Sequence, residues 1–241
     1  MRLKQWTTTN GITVIHLLPG RCNAYVINKG DQRVLVDTST RKDFEELDKR
    51  LHESGYHELG IAYLILTHTH YDHCQSARRL KEKYECSIVV SAKAEESIAD
   101  GYTRLPNGTN WLSNTIVKMG RRIGKPTYGY DPFEADIFIQ GDHLLPIGNA
   151  NVKIIETPGH SADSISILVD DEIALVGDAM FGALKKSIFP PFADDVRTMV
   201  HSWAKLLDTG CNTFLPGHGK AISRERLQRE YGKYARKYRI E

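Results

Sequence analysis

The chain has 241 residues, enough to bury a large core. With 41% hydrophobic and 26% charged residues, its composition is typical of a globular protein and excludes a disordered or fibrous one. Its net charge is only +2, and its longest apolar run, residues 61–66, is too short to cross a bilayer. Because no basic segment followed by a continuous apolar stretch opens the chain, we predict no signal peptide, no membrane association and a cytoplasmic location.

The first ninety residues alternate predicted strands and helices, as expected when helices cover a sheet. The apolar windows and turn residues predict strands at 12–18, 22–28, 32–37, 61–66 and 87–91. Helices are expected over 40–53 and 75–84, because apolar side chains recur there at helical spacing. The four cysteines are scattered, so no disulfide framework is expected.

Residues 101–135 break this alternation. They combine Gly and Pro with aromatic side chains, and a helix is expected only over 110–119. The stretch 101–130 has five Lys or Arg residues and no Asp or Glu. We interpret the segment either as a lid whose basic residues attract an anionic substrate, or as a solvated insertion or dimer contact.

The second half of the chain repeats the strand and helix pattern. Strands are predicted at 134–139, 151–157, 164–170, 172–177 and 213–215, and helices at 194–208 and from about Ser223 onward. We find no linker, so the chain is predicted to be a single domain, 1–241, with a possible lid insertion at about 101–135.

The stretch from Thr67 to Cys74 carries the strongest chemical signal. It follows the apolar strand 61–66, and His68 and His70, two residues apart, are expected to project together from the strand end. Asp72 stands at N-cap spacing before the predicted helix, and His73 follows it. Neutral imidazole and carboxylate are groups that zinc prefers, so the stretch predicts a metal site. We regard Cys74 as a small buried side chain outside that site.

His68-x-His70-x-Asp72-His73 resembles the signature of the metallo-β-lactamase-fold hydrolases. Three more positions match in the expected order: His160 in Thr-Pro-Gly-His-Ser, Asp178 in Val-Gly-Asp-Ala and His218 in Leu-Pro-Gly-His-Gly. The resemblance implies an α/β fold, an αββα four-layer sandwich of two mixed sheets flanked by helices. It gives the acid at Asp37 a structural role in fixing nearby loops.

The resemblance also implies a dinuclear metal centre. One metal would be held by His68, His70 and His160, the other by Asp72, His73 and His218, and Asp178 would bridge both. The expected metals are two Zn²⁺ ions, with Fe or Mn as alternatives. A hydroxide shared by the metals would attack the substrate, and Asp72 would protonate the leaving group.

Departures from other members of that family narrow the expected activity. Asp178 replaces the Cys or Ser of the true β-lactamases, and only 22 residues follow Gly219, too few for the glutathione-binding domain of the hydroxyacylglutathione hydrolases. The predicted function is hydrolysis of a small, anionic ester, thioester or lactone. The alternatives are a phosphodiesterase or nuclease, with nucleic acid as partner, and a mononuclear iron persulfide dioxygenase.

Overall fold

The structure, a computed structural model, describes residues 3–20, 22–56, 60–147 and 150–240, with the backbone alone at 150 and 151. Within these ranges two mixed β-sheets pack face to face, and helices cover the outer side of each sheet.

The first sheet comprises seven strands in the described residues, and their order in space follows their order in the chain. They are β1 (Lys4–Thr7), β2 (Thr13–Leu18), β3 (Ala24–Lys29), β4 (Gln32–Val36), β5 (Tyr63–Ile65), β6 (Ser87–Ser91) and β7 (Ile137–Ile139). β1 to β4 pair antiparallel, whereas β4 to β7 pair parallel. Parallel pairs need long crossovers, and helices supply them. These helices are α1 (Phe44–Glu53), α2 (Tyr71–Cys74), α3 (Ala77–Tyr84), α4 (Glu95–Asp100), α5 (Trp111–Ile123) and α6 (Lys125–Tyr128).

The second sheet comprises six strands in the part of the chain that is described, in the spatial order β13-β12-β11-β10-β9-β8. Its elements are β8 (His143–Ile147), β9 (Ala150–Glu156), β10 (Ile165–Val169), β11 (Ile173–Gly182), α7 (Val196–Leu207), β12 (Thr213–Gly219), β13 (Ile222–Ser223) and α8 (Arg224–Tyr238). Only β11 and β12 pair parallel, and α7 connects them.

Three apolar clusters fill the spaces between the layers. The central cluster joins the facing sides of the two sheets, with Ile65 from one and Leu175 from the other. A second cluster lies between the first sheet and α1, where Phe44 is buried, and a third between the second sheet and α7, where Trp203 is buried. Helices α1 and α7 therefore each bury one apolar stripe on a sheet, and the αββα sandwich expected from the sequence is confirmed. None of the helices among the described residues is long and apolar enough to span a membrane.

Six of the described elements were not predicted from the sequence: β1, α2, α4, α6, β8 and β13. β1 is an edge strand with mostly exposed side chains, α4 buries only Ile98, and α6 buries no residue. In β8 the apolar period is limited to Leu145 and Ile147. The signal on which the prediction depends is therefore weak in these elements.

The prediction that β11 and β12 end before their candidate ligands was wrong. β11 continues through Asp178 to Gly182, and β12 continues through His218 to Gly219. The register between the two strands shifts on either side of Gly177, which has φ of +48°. Such irregularities change the direction of side chains without ending the strand, so both ligands project from within strands.

The prediction that Asp72 caps the helix over 75–84 was also wrong. A separate short helix, α2, begins after His70, and Asp72 lies in its first turn. The longer helix α3 begins only at Ala77, after Ser76. Asp72 therefore lies within the short helix α2, together with His73, and not at the cap of α3.

Segment 101–135 is more ordered than its composition predicts. α5 is longer than the predicted helix over 110–119 and begins with a capping box, in which the side chain of Asn110 accepts from the N–H of Ser113. Gly101 and Gly129 mark close backbone contacts in this segment, because a Cβ on either would collide with neighbouring backbone atoms.

Candidate metal centre

Four separate stretches of the chain deliver the candidate ligands to one buried cluster. The first stretch contains His68 and His70, after β5, and Asp72 and His73, in α2. The other three contain His160 between β9 and β10, Asp178 in β11, and His218 in β12. Asp72 and His218 are partly exposed, and the other side chains are buried. The structure thus brings together all seven of the residues that the sequence proposed as ligands.

Two groups of three side chains in the cluster match the ligand sets that the resemblance implies. In the first group, His68, His70 and His160, the potential ligand atoms lie within 4.8 Å of one another. Nδ1 of His70 is 2.9 Å from Nε2 of His160. The second group is Asp72, His73 and His218, also with potential ligand atoms within 4.8 Å of one another. Their spacing is that of donors converging on one point.

Asp178 lies between the two groups. One carboxylate oxygen, Oδ2, is 3.3 Å from Nε2 of His218 and 3.7 Å from Nε2 of His160. The other oxygen, Oδ1, is 3.5 Å from Nε2 of His73. A single carboxylate thus contacts members of both groups, as a group shared by two cations must.

Comparison with known proteins identifies the family of this chain. Residues 17–218 match the sequence model of the metallo-beta-lactamase superfamily, and that range includes every candidate ligand. The chain belongs to the metallo-β-lactamase superfamily. It is therefore a metal-dependent hydrolase of that superfamily.

Individual relatives are distant. A probable metallo-hydrolase of Bacillus subtilis, YqgX, is 28% identical over 205 residues, which are 83% of this chain and 86% of the relative. The atrochrysone carboxyl ACP thioesterase of Aspergillus fumigatus is 24% identical over 90% of this chain, but the chain spans only 57% of that protein. Among solved structures, the B3 metallo-β-lactamase BLEG-1 superposes with a TM-score of 0.69 at 21% identity, covering 95% of this chain and 97% of the other. That likeness is one of fold.

The donor atoms of the cluster fit the metals that the superfamily uses. Nε2 of His68, Nε2 of His70 and Oδ1 of Asp178 are buried without a hydrogen-bond partner among the described residues. Buried polar atoms are almost always partnered, because leaving one unpaired costs about 1–3 kcal/mol. A divalent cation accepts lone pairs from imidazole and carboxylate, and binding it would satisfy the cluster.

Protonation in the cluster also suits a cation. Burial lowers the pKa of His68 well below its ordinary value and that of His160 to about 4, so both imidazoles offer lone pairs at neutral pH. Burial alone would lower the pKa of His218, but Asp178 and Asp72 raise it to about 10. Protonated His218 therefore offsets carboxylate charge that a bound metal would otherwise offset. Metal binding would release this proton.

The buried Asp37 orients one half of the cluster. Its Oδ1 accepts from the backbone N–H of Thr67, and its Oδ2 accepts from the Thr67 hydroxyl, each at 2.8 Å. Oδ2 also lies 2.9 Å from Nδ1 of His73. Because Nδ1 of His73 lies against this carboxylate, Nε2 is the ring nitrogen that faces the cluster and the one that would bind a metal. The structural role expected for Asp37 is thus accounted for by these bonds.

Asp163, which the sequence analysis missed, supports the other half. Its Oδ2 accepts from the N–H of Thr69 at 2.8 Å and from the Thr69 hydroxyl at 2.7 Å. Nδ1 of His160 lies 2.9 Å from the carbonyl oxygen of Phe192, to which it donates. This bond directs Nε2 of His160 into the cluster. The only signal in the sequence was an acid three residues after a candidate ligand, which by itself indicates nothing about Thr69.

Two other side chains that were missed, Cys22 and Asn23, lie just before β3 and contact His73 and the backbone around His218. The Asn23 amide donates to the carbonyl oxygens of Pro216 and Gly219, on either side of His218, each at 3.0 Å. Sγ of Cys22 lies 3.3 Å from Nδ1 of His73. Burial raises the pKa of the Cys22 thiol, so it contacts the imidazole as a neutral group. Cys74, which the sequence analysis kept outside the site, is buried in the core.

Gly217, beside His218, allows a close approach of two candidate ligands to the backbone. A Cβ at this position would lie 2.5 Å from Cε1 of His73 and 2.6 Å from Oδ1 of Asp178. Such distances are far below van der Waals contact, so only glycine leaves room for these side chains.

A cavity of about 210 Å³ opens beside the cluster. One side is formed by candidate ligands, among them Asp72 and Asp178. The lining also includes Leu105 and Val117 from segment 101–135, and Phe192 from the loop before α7. This is the space in which a substrate would meet the metals.

Proposed function

We propose that the chain is a dinuclear metallohydrolase that cleaves an ester, thioester or lactone bond. The observation that carries the proposal is that Asp178 contacts members of both three-residue groups. The proposed ligand sets are His68, His70 and His160 for one metal, and Asp72, His73 and His218 for the other, with Asp178 shared.

The chemistry of the donor set favours zinc, because five imidazoles and two carboxylates are nitrogen and oxygen donors that zinc binds well; Fe and Mn remain alternatives. When bound, such ions lower the pKa of water to near neutrality and polarise the oxygen of a carbonyl group. The protein supplies the fixed geometry through Asp37, Asp163 and the carbonyl of Phe192.

Asp72 is proposed as the group that moves the proton. It lines the cavity, and its Oδ2 is 3.4 Å from Nε2 of His218. Burial alone would raise the pKa of Asp72, but the hydrogen bond from His218 lowers it below its ordinary value. Asp72 is therefore a carboxylate at neutral pH, able to accept a proton from the attacking water and to pass it to the leaving group.

We propose the lid interpretation for segment 101–135, as part of a single domain. Its residues Leu105, Ile116 and Tyr128 line the same cavity as the candidate ligands, so a substrate held there would contact this segment. The named activity of the fungal relative, a thioesterase, supports an acyl substrate.

Elemental analysis and an activity panel test the proposal together. We expect two zinc ions per chain and hydrolysis of at least one class among acyl esters, thioesters and lactones. Asp178→Asn should lose both metals, whereas Asp131→Asn, an exposed control, should lose neither. One iron per chain with oxygen uptake on a persulfide would instead identify a dioxygenase. Turnover of phosphodiesters alone, with steeply salt-dependent binding to oligonucleotides, would identify a nuclease.

A further inference from the structure

We infer that the cavity beside the candidate metal centre binds an uncharged, apolar acyl group. This inference rests on the proposed function. The sequence led us to expect an anionic substrate, and we now propose an ester or thioester of an apolar carboxylic acid instead.

The lining of the cavity carries the inference. Apart from the candidate ligands, the side chains that line it among the described residues are apolar ones and two tyrosines, with no Lys or Arg. Val117 and Phe192 are among these apolar lining residues. An anion placed there would lose water without gaining a cationic partner other than the metals, whereas an alkyl chain would gain from leaving water.

Two of the five basic residues of 101–130 have other partners, and none of the five lines the cavity. The guanidinium of Arg121 donates to the carbonyl oxygen of Leu105, at 2.6 Å from Nη2, and to the side chain of Asn107. Nζ of Lys125 pairs with Asp100 at 3.0 Å. These cations hold the segment together and leave the apolar faces of Leu105 and Val117 toward the cavity.

The size of the cavity limits the acyl group. About 210 Å³ is less than the roughly 300–1,000 Å³ of pockets for drug-sized ligands, so the space suits an acyl chain rather than a polycyclic molecule. Ile116 of α5 lines the cavity although 53% of its surface is exposed, which places it at the rim. A chain long enough to reach the rim would contact Ile116.

Helix α5 offers a matched control for that contact. Ile123 is the same residue type on the same helix and is 52% exposed, but it does not line the cavity. Replacing either isoleucine with Asp adds one charge to an exposed position of α5. The two substitutions differ in whether the charge is at the cavity.

The test uses the metal-loaded full chain with thioesters of acetate, butyrate, octanoate and succinate. We expect kcat/KM to rise from acetyl to octanoyl by up to roughly threefold to fourfold per buried methylene, and succinyl to be poorer than butyryl. Ile116→Asp should lower the octanoyl-to-acetyl ratio about tenfold, whereas Ile123→Asp should leave it unchanged. A preference for succinyl, a flat chain-length profile or equal effects of the two variants would overturn the inference.

A binding measurement separates this inference from the proposed function. Octanamide is uncharged, and its affinity can be measured by calorimetry without turnover. If no ester or thioester is hydrolysed but octanamide binds and Ile116→Asp weakens it about tenfold more than Ile123→Asp does, the proposed function fails and the apolar site stands. If thioesters are hydrolysed but octanamide binding is absent or the same in both variants, the apolar site is wrong and the hydrolase stands.

Discussion

Nδ1 of His73 lies 2.9 Å from Oδ2 of Asp37, and both side chains are buried. Asp37 follows β4 and His73 lies in α2, so this bond joins two crossover connections of the first sheet. The same carboxylate accepts two bonds from Thr67, immediately before His68. One acid thus fixes the path of the loop and the orientation of an imidazole within it.

Asp37→Asn should weaken metal binding more than it unfolds the protein. Asp37 has φ of +59°, a conformation that Asn tolerates, so the backbone can persist. The amide is a weaker acceptor for Nδ1 of His73, and loss of such an outer partner typically costs about 10–100-fold in metal affinity. Competition with a chelator of known affinity measures the effect. Unchanged affinity, or a loss no greater than in the exposed variant Asp131→Asn, would contradict it.

Gly217→Ala should disrupt the centre directly. The added methyl group would overlap His73 and Asp178, and forcing extra atoms into a packed site typically costs about 1–3 kcal/mol. We expect lower metal content and a lower free energy of unfolding in urea. The control is Gly232→Ala in α8, where a Cβ meets nothing within 4 Å. That change should stabilise the helix by up to about 1 kcal/mol, and equal effects at the two glycines would refute the steric argument.

Removal of metal should destabilise the fold. A ligand that binds only the folded state adds about 2.7 kcal/mol of stability per site when its free concentration is a hundred times its Kd. Urea unfolding with zinc and with a chelator should therefore differ by at least that amount. Asp178→Asn should unfold at the same urea concentration in both conditions. If the wild-type chain also gives coincident curves, the buried cluster holds no metal.

Asp136→Asn should reduce resistance to acid. Burial alone would raise the pKa of Asp136, but hydrogen bonds from Nζ of Lys81 and the N–H of Ile88, each at 2.7 Å, lower it. A carboxyl whose pKa is lower in the folded state adds stability above its unfolded pKa, and that stability is lost as the pH falls through the folded pKa. The wild-type chain should exceed the variant in urea stability at pH 7, and the difference should shrink below about pH 4. A difference that stays constant with pH would exclude linkage to Asp136.

Local sequence was sufficient to predict the helices that have one apolar stripe. α7 lies within two residues of its predicted bounds, and α8 begins within one residue of its predicted start. Their N-caps, Asp195 and Ser223, accept from the backbone as their residue types predict. The motif from His68 to His73 was readable because its members are close in the chain, and strand and helix geometry bring them together. The remaining candidates, His160, Asp178 and His218, came from the resemblance to a family.

Tertiary structure alone decided how those groups are held and what surrounds them. Asp163 reaches Thr69 from 94 residues away, and Asn23 reaches Gly219 from 196 residues away, so no local pattern could reveal either bond. The extension of β11 past Asp178 depends on its register with β12, which is set by packing between distant strands. The sequence shows that residue 121 is a basic Arg, but only the folded structure shows that its guanidinium donates to the carbonyl oxygen of Leu105. The same is true of the apolar lining of the cavity. Composition thus determines which groups the chain contains, while long-range packing determines which of them face the metals.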